Sequence, residues 1–531
     1  MGVLLTRATS PRNLVVVLLD SLNRHFLRCY LDEAEQRARR QATGVGEWAD
    51  IDPVATPNID RLAARAVRFD GHWSGSLPCM PARHDLLVGA LDFLWRPWGS
   101  IEVWEDAITY DLQRAGVTTM LVSDHPHLFE IGGENYHTDF SAWSYERGHE
   151  SDPWRTRPDP TWTGTPALPA EPGFVHHAYD DSRTWFREEA EFPGPRTMQA
   201  AEHWLRTSAR DHDRFLLFVD EFDPHEPFDT PEPWATRYDS DWSGPRLIWP
   251  PYSTSTIADA RLRPDEARQI RANYQAKLAM IDHWLGRILD ALDDLALWDD
   301  TAFVLCTDHG HYLGERDAFG KPGLPIFSEL GHTPLLVSWP GVAPRSIDAL
   351  TTNVDLHATF VDVFGVAPAH RTHGRSLAPL LHGEVETIRD HALLGYWGRQ
   401  VHVVDGERHY ARAPTGDNLP LAMWSNRWST MPIHSRPELR LPRPDRRAAL
   451  AFMPGSDVPV IRQPFAAGDF LPFWAYGVET DHHLLHDLDA DPWQTTNRAG
   501  TRAEKEAVDL LRAALDEIEA PPEQYERLGV A

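Results

Sequence analysis

The sequence predicts an α/β protein with a large mixed, mostly parallel sheet flanked by helices, and a smaller C-terminal antiparallel sheet with a helix. Three features predict this class: continuous apolar runs typical of buried strands, an amphipathic helix between two of them, and an alternating pattern after about residue 390. The 531 residues exceed what one ordinary core holds, so we expect a larger domain over residues 1–390 and a smaller one over residues 391–531.

The first apolar run, residues 13–19 (NLVVVLL), is continuous and rich in β-branched side chains. Such a run is typical of a strand buried on both faces, as in a parallel sheet. Residues 118–122, 215–219 and 301–306 have the same character. We expect each of them to be a strand of the same sheet.

A strong helix pattern lies between the last two of these runs. Six apolar residues follow one another at alternating steps of four and three: Tyr274, Leu278, Ile281, Leu285, Ile288 and Leu292. This spacing places them on one stripe of an amphipathic helix. Strand, helix and strand in this order form a crossover unit, which predicts that the sheet is parallel.

The pattern changes after about residue 390. Residues 393–412 alternate like a hairpin, with Asp405-Gly406 as the turn, and residues 503–519 predict a final helix. Three stretches rich in Pro and Trp, residues 143–197, 227–257 and 413–465, have little periodicity. We expect them to be ordered loops that cover a pocket.

The composition restricts the partners and the cellular setting. The net charge of −28 argues against nucleic acid, so any site for an anion must be a local positive pocket. Three cysteines give no disulfide framework, residues 1–12 lack an apolar segment of signal-peptide length, and no stretch reaches the roughly 20 apolar residues of a membrane span. We therefore expect a soluble, cytoplasmic protein with no membrane contact.

Each of the four apolar runs is followed within two residues by Asp. Ligands of open α/β sheets bind beyond the carboxyl ends of the strands, although Asp also favours turns there for structural reasons alone. Asp20 follows the first run, and Asp308 and His309 follow the last. Two carboxylates and an imidazole can converge on one cation: oxygen ligands suit Ca²⁺, Mg²⁺ or Mn²⁺, and the imidazole favours transition metals.

Cys79 is the candidate nucleophile, in the segment LPCMPARHDLLVG. Pro81 favours a helix start here, and the positive end of that helix would stabilise an anionic nucleophile. Arg83, one turn further on, could support it. The alternative is a buried structural cysteine.

Four further residues are candidate cations near a metal: His225 in DPHEPF, Lys321 in FGKPG, and His125 and His127 in SDHPH. They would supply the positive pocket that this acidic chain otherwise lacks. The alternative for each is a solvated surface residue.

The segment Cys79-Met80-Pro81-Ala82-Arg83 resembles the C-x-P-[SA]-x motif of the sulfatase family, with Arg as the fifth residue. The family belongs to the alkaline phosphatase superfamily, and the resemblance implies its fold. Further segments resemble family motifs in the same order along nearly the whole chain: NLVVVLLDS, TPNIDRLAARAVRFDGHW, DPHEPF, TDHGHYLGE with Lys321, and LLHDLDADPWQTTNRAG.

The resemblance implies a role for each candidate. Cys79 would be oxidised to formylglycine by a formylglycine-generating enzyme, and one hydroxyl of the aldehyde hydrate would attack the ester. The metal would be bound by Asp20, modified Cys79, Asp308 and His309. Arg83 would hold the nucleophile, and Lys321 and His225 would bind the ester anion. His125 or His127 would help release the product. Many sulfatases have Lys-x-His where this chain has His-Pro-His.

Two departures bear on the substrate and the metal. Asp20 is followed by Ser21 where many sulfatases have a second Asp, and Asp308 is followed by His309 where many have Asn or Gln. Both resemble the phosphonate monoester hydrolase and phosphodiesterase branch, which also uses formylglycine. One fewer carboxylate and one more imidazole shift the expected metal from Ca²⁺ toward Mn²⁺, with Mg²⁺ possible.

Three functions are therefore compared. The first is hydrolysis of a small-molecule sulfate ester, and the second is hydrolysis of phosphonate monoesters or phosphodiesters at the same site. The third is a binding or scaffold protein that has kept an inactive sulfatase fold. A homo-oligomer is compatible with all three.

Overall fold

The predicted central sheet is present in the structure, a computed structural model that describes residues 10–166, 168–169, 177–321, 324–429, 443–472 and 482–531. The strands in chain order are β1 (Asn13–Leu19), β2 (Val67–Phe69), β3 (His72–Trp73), β4 (Thr118–Ser123), β5 (Ala142–Tyr145), β6 (Leu168–Pro169), β7 (Phe215–Glu221), β8 (Leu247–Trp249), β9 (Thr301–Cys306), β10 (Tyr312–Leu313), β11 (Phe319–Gly320), β12 (Leu335–Ser338), β13 (Arg345–Ile347), β14 (Thr351–Thr352), β15 (Ala392–Gly395), β16 (Val401–Val404), β17 (Arg408–Arg412), β18 (Leu421–Ser425), β19 (Ala449–Phe452), β20 (Pro459–Phe465) and β21 (Leu484–Asp487).

The α-helices surround these strands. In chain order they are α1 (Glu33–Ala42), α2 (Pro57–Ala63), α3 (Cys79–Val88), α4 (Ile108–Arg114), α5 (His177–Arg183), α6 (Pro193–Thr207), α7 (Pro264–Asp294), α8 (Ser328–Gly331), α9 (Asn353–Phe364), α10 (Ala378–His382), α11 (Ala503–Glu517) and α12 (Pro522–Arg527).

The main sheet has eight strands in the order β13-β2-β12-β9-β1-β7-β4-β5. The strands β9, β1, β7, β4 and β5 run parallel to one another, and β13 is parallel to β2. The strand β12 is antiparallel to both β9 and β2, so the prediction of a mixed, mostly parallel sheet is confirmed. Leu18 lies opposite Asp220 of β7 and Cys306 of β9. The residues that follow β1, β7 and β9 therefore meet at one edge of the sheet.

The four predicted strands and the crossover helix are confirmed. Alternate residues of β1 enter two separate cores: Val15, Val17 and Leu19 face one side of the sheet, and Leu14, Val16 and Leu18 face the other. All six residues of the predicted helical stripe are buried in α7, which joins β7 to β9. Burial on both faces explains why these strands lack alternation in the sequence.

The C-terminal part has the predicted antiparallel sheet and helix. The order is β15-β16-β17-β21, with α11 packed against it through Leu511 and Leu515. The predicted turn is present: Gly406 has a φ of +94°, which a glycine adopts without strain. The short helix α12 follows without having been predicted. The division of the chain at residue 390 stays a prediction.

The expectation of irregular loops is wrong in part. Residues 413–465 contain the three-stranded antiparallel sheet β18-β20-β19. Its exposed face carries the apolar residues Leu450 and Phe452, so polar and apolar residues do not alternate there in the sequence. Residues 143–197 contain α5 and the start of α6, and residues 227–257 contain β8. Residues 167, 170–176 and 430–442 of these stretches lie outside the described residues. No helix within the described ranges is long and apolar enough to cross a membrane.

Candidate active site

Asp20 and Asp308 lie side by side at the carboxyl edge of the sheet, and both are fully buried. Ser21 links them: its hydroxyl donates to Asp20 Oδ1 at 2.8 Å, and its backbone N–H donates to Asp308 Oδ1 at 3.0 Å. Ser21 has a φ of +62°, a conformation that costs free energy in a residue with a side chain. This backbone turn directs the Ser21 amide at the second carboxylate.

Cys79 is the first residue of α3, and Pro81 occupies the first turn as predicted. Its Sγ lies 3.4 Å from His309 Nε2 and 3.8 Å from Lys321 Nζ. The loop before it is held by Asp85 of the same helix, which accepts hydrogen bonds from the Ser76 N–H at 2.6 Å and the Ser76 hydroxyl at 2.7 Å. The cysteine is therefore fixed at the helix start, facing the carboxylates.

Arg83 connects this helix to the sheet edge. It makes a two-pronged ion pair with Asp220 of β7, through Nε at 2.7 Å and Nη2 at 2.6 Å. Its Nη1 donates to Asp308 Oδ2 at 3.0 Å, and its Nη2 lies 2.9 Å from Asp20 Oδ2. Arg83 thus positions both carboxylates as well as the helix. Asp220 was not predicted, although an acid inside the apolar run FLLFVDE is a signal that could have identified it.

Four side chains form a group that fits a metal ion. The ligand atoms of Asp20, Cys79, Asp308 and His309 all lie within 4.8 Å of one another, and all four residues are buried. Asp20 Oδ2 forms an ion pair with Arg83 Nη2 at 2.9 Å, but the geometry is not that of a hydrogen bond, and it accepts none from the other described residues. His309 Nδ1 lies 2.9 Å from the Gly310 carbonyl, so it donates there and leaves the Nε2 lone pair directed at the group.

The charges in this group explain why a cation would be stabilising. Burial, and then the neighbouring Asp308, raise the pKa of Asp20 well above its usual value. For Asp308, burial acts in the same direction, but His309 and Arg83 outweigh it and lower the pKa. Burial also raises the pKa of the Cys79 thiol well above normal. Such a buried oxygen- and nitrogen-rich set gains from a divalent cation, which offsets the cost of removing its charges from water.

Lys321 and His225 lie together beside the nucleophile. Lys321 Nζ is 3.0 Å from His225 Nε2 and 3.5 Å from Ser21 Oγ. The other ring nitrogen of His225 lies 2.8 Å from the Glu226 carbonyl, to which it donates. Burial lowers the pKa of His225 to about 3, so His225 contributes a neutral ring, not the predicted cation. Lys321 is the cation of the pair.

His125 and His127 differ in their surroundings. His127 contacts Glu130 through Nδ1 and lies 3.3 Å from Glu150 Oε2 through Nε2. Burial alone would lower the pKa of His127, but Glu130 and Glu150 raise it to about 10. Both nitrogens of His125 are buried and have no hydrogen-bond partner among the described residues. Of the two, only His125 keeps ring nitrogens uncommitted.

The residues around Lys321 include others that were not predicted. Glu226 receives a hydrogen bond from the Tyr252 hydroxyl, and its Oε2 lies 3.2 Å from His311 Nε2. Both Glu226 and His311 stand inside motifs already singled out, DPHEPF and TDHGH, which was the available signal. Tyr252 comes from a loop that no sequence pattern connects to them.

A second group of potential metal ligands, His84, Asp92 and Glu105, has a different character. Arg96 already occupies it, with Nε 2.5 Å from Asp92 Oδ2 and Nη2 3.2 Å from Glu105 Oε2. Burial alone would lower the pKa of His84, but Glu105 raises it to about 9, so His84 is a second cation in the group. These residues form an ion-pair network that needs no metal.

The chain is similar to several known proteins. The sulfatase family model matches residues 12–366. The choline-sulfatase of Rhizobium meliloti is 26% identical over 360 residues, which cover 63% of this chain and 68% of that protein. The multifunctional alkaline phosphatase superfamily protein PehA of Trinickia caryophylli is 24% identical over 386 residues, covering 62% and 71%. The structure of the phosphonate monoester hydrolase of Agrobacterium radiobacter has the same fold, with a TM-score of 0.58 and 20% identity over 96% of this chain and 95% of that one.

Proposed function

The chain belongs to the sulfatase family, and we propose that it hydrolyses sulfate esters with a divalent metal ion and a formylglycine derived from Cys79. The observation that carries the proposal is the position of Cys79. Its sulfur lies among the ligand atoms of Asp20, Asp308 and His309, and 3.8 Å from the Lys321 ammonium. A nucleophile held between a cation site and a lysine is suited to attack an anionic ester.

Asp20, Asp308, His309 and modified Cys79 would hold the metal, with Mn²⁺ favoured over Ca²⁺ by the imidazole. When bound, the metal would make the nucleophilic hydroxyl more acidic and polarise the ester oxygens. The protein's own contribution is orientation. Arg83 fixes both carboxylates and the start of α3, so these groups need no rearrangement during turnover.

Lys321 and His225 would bind the ester oxygens and stabilise charge on the leaving oxygen. The ammonium supplies the positive charge, and the neutral His225 ring holds it in place through the 3.0 Å contact. His125 is the proposed acceptor of the proton lost when the product is released, because its ring nitrogens have no other partner among the described residues. His127, paired with Glu130 and Glu150, has no free nitrogen for this role.

A second function has specific support. Ser21 in place of a second Asp, and His309 in place of an amide, favour the phosphonate monoester and phosphodiester branch. The similarity to PehA and to a phosphonate monoester hydrolase is in line with this. Phosphonate monoesters carry the same single charge as sulfate monoesters, so the charge of the proposed site suits either.

The kinetic test compares kcat/KM for 4-nitrophenyl sulfate and 4-nitrophenyl phenylphosphonate, with protein made alongside a formylglycine-generating enzyme. We expect the sulfate to be the better substrate. A preference of a hundredfold or more for the phosphonate would replace the first function by the second.

The scaffold alternative is tested by the metal itself. We expect near-stoichiometric Mn²⁺ or Ca²⁺ in the purified protein, and loss of that metal in Asp308→Ala. Asp282→Asn is a matched control, because Asp282 is also a buried carboxylate but accepts hydrogen bonds from the Asn58 and Ile59 amides and is not part of the proposed site. Absence of metal from the unmutated protein, together with no turnover of either ester, would support an inactive scaffold.

A further inference from the structure

Arg399 is a buried cation that has no counter-ion among the described residues. It lies between β15 and β16 and is 7% exposed. Its Nε and Nη1 are buried and have no hydrogen-bond partner in the part of the chain that the structure describes, and no described carboxylate forms an ion pair with it. Burying a charge without a partner is costly, so such an arrangement calls for a ligand that supplies the missing anion.

Most of the other buried arginines among the described residues are paired with carboxylates. Arg24 and Arg527 are not, but both donate hydrogen bonds to neutral oxygens. Each of the following contacts at least one carboxylate: Arg39, Arg83, Arg96, Arg271 and Arg389. Such pairing is expected in a chain whose net charge is −28. The unpaired state of Arg399 is therefore not explained by a shortage of acidic residues.

Arg399 is connected to the loop before the nucleophile through the residues that follow β15. Gly395, the last residue of β15, accepts from the Leu77 N–H at 2.9 Å and donates to the Gly75 carbonyl at 3.1 Å, just before Cys79. Tyr396 follows, and the Arg399 guanidinium is 5.2 Å from the centre of its ring. Burial raises the pKa of the Tyr396 hydroxyl, and both Lys321 and Cys79 lie close enough to affect it.

The backbone of Arg399 is held in place by a second buried arginine. Arg527 donates from Nη1 to the Arg399 carbonyl at 2.9 Å and to Asn418 Oδ1 at 3.0 Å. Its Nε donates to Gln524 Oε1 at 2.6 Å, and all of these acceptors are neutral. Arg527 therefore fixes the Arg399 segment and adds to the local positive potential instead of cancelling it.

We propose that Arg399 binds a second oxoanion of the substrate, a carboxylate or a sulfonate-like group carried by the leaving alcohol. The proposal rests on the proposed ester hydrolysis and specifies its substrate class as dianionic esters. The guanidinium would pair with the remote anion, and the Tyr396 ring would lie beside the part of the alcohol between that anion and the ester.

The test uses phenyl sulfates that differ only in the group at the meta or para position of the ring. This group is a carboxylate, a sulfonate or a neutral carboxamide. For each ester, kcat/KM of the unmutated protein is divided by that of Arg399→Gln, so that differences in leaving-group reactivity cancel. We expect this ratio to be about tenfold or more for a charged ester and near one for the carboxamide. The carboxylate and sulfonate distinguish a planar from a tetrahedral anion.

Arg399→Lys is the second variant, because it keeps the charge and should retain much of the preference. Calorimetric binding of 4-hydroxybenzoate and 4-hydroxybenzamide to the unmutated protein gives a readout that needs neither turnover nor a variant. We expect the carboxylate to bind more tightly. Equal losses on charged and neutral esters, or equal binding of the two phenols, would overturn the proposal. Absence of turnover with tighter carboxylate binding would contradict the hydrolase function alone.

Discussion

Individual residues at the sheet edge have different functions in the proposed site. Arg83 supplies rigidity, since its guanidinium contacts carboxylates from three strands and the carbonyl of Cys79. Lys321 supplies the charge that faces the nucleophile, and Asp20 has an oxygen, Oδ2, that is paired with Arg83 but accepts no hydrogen bond from the described residues. The reactive group itself would arise only after modification of Cys79.

Replacement of Cys79 tests its role at this scale. We predict that Cys79→Ala lowers kcat by roughly four orders of magnitude or more while the melting temperature stays within a few degrees. Cys79→Ser should be nearly as damaging, because serine lacks the second hydroxyl of the aldehyde hydrate. Steady-state kinetics and thermal unfolding measure both effects. Cys29→Ala is the control, and activity in Cys79→Ala equal to that of the control would contradict the assignment.

His127 makes the stability of the protein depend on pH. Its pKa is raised to about 10 by Glu130 and Glu150, against the effect of burial, whereas in the unfolded chain it is about 6.5. The ion pairs therefore stabilise the fold fully below pH of about 6.5, and this contribution is lost as the pH rises through about 10. We predict that the difference in unfolding free energy between the unmutated protein and His127→Gln shrinks by at least about 1 kcal/mol over this interval.

Denaturant unfolding of both proteins at several pH values measures this difference. His84 also titrates near pH 9, but it is present in both proteins and cancels. A difference that stays constant from pH 6 to pH 10.5 would show that His127 is not charged in the folded protein.

At the scale of elements, the site depends on strands that end at one edge and on the helix that joins them. The residues following β1 and β9 converge because these strands are parallel and in register, Leu18 lying opposite Cys306. The strand β1 lies between β7 and β9 and sets their spacing by pairing with both, and α7 covers one face of the sheet with its apolar stripe.

Leu278, in the middle of the α7 stripe and fully buried, is the position to change. We predict that Leu278→Ala lowers the free energy of unfolding by about 2–5 kcal/mol, because it removes apolar contacts and leaves a cavity. His283→Ala, at an exposed position of the same helix, should change it by less than about 0.5 kcal/mol. Urea unfolding followed by circular dichroism compares them, and equal effects would mean that α7 does not stabilise the sheet through this stripe.

The sequence predicted the elements whose pattern is set by burial, and it missed those set by contacts between distant segments. Residues 301–306 were predicted to the residue because a strand buried on both faces is apolar throughout. The strand β19 has an exposed Leu450 and Phe452, so its pattern carries no such signal. Asp220 was missed because its partner, Arg83, lies 137 residues away. Asp20, Asp308 and His309 were found because they follow buried strands, and Cys79 was found through its motif. Tyr252 and Arg399 lie in segments that no motif marks.

At the scale of the whole molecule, the protein has a net charge of −28, whereas its proposed substrate is an anion. Lys321, beside the nucleophile, acts over a short range, whereas the surface charge repels an anionic ester from a distance. Salt shortens the reach of that repulsion, from about 30 Å at 0.01 M to about 8 Å at 0.15 M.

We therefore predict that kcat/KM for an anionic ester rises as ionic strength increases from 0.01 to about 0.15 M, because the Debye length falls over this interval. Parallel series in sodium chloride and potassium glutamate separate screening from binding of chloride. A steady fall in both salts would mean that the positive groups of the site, and not the overall charge, govern the approach of the substrate.

The most direct test of the central claim is the mass of the tryptic peptide that contains Cys79, residues 69–83, from protein produced with a formylglycine-generating enzyme. We predict that the peptide has lost its sulfur and gained an aldehyde oxygen, and that it reacts with a hydrazide probe. An unmodified thiol, under conditions that convert a control sulfatase peptide, would contradict the account and leave Cys79 as a buried cysteine beside an ion site.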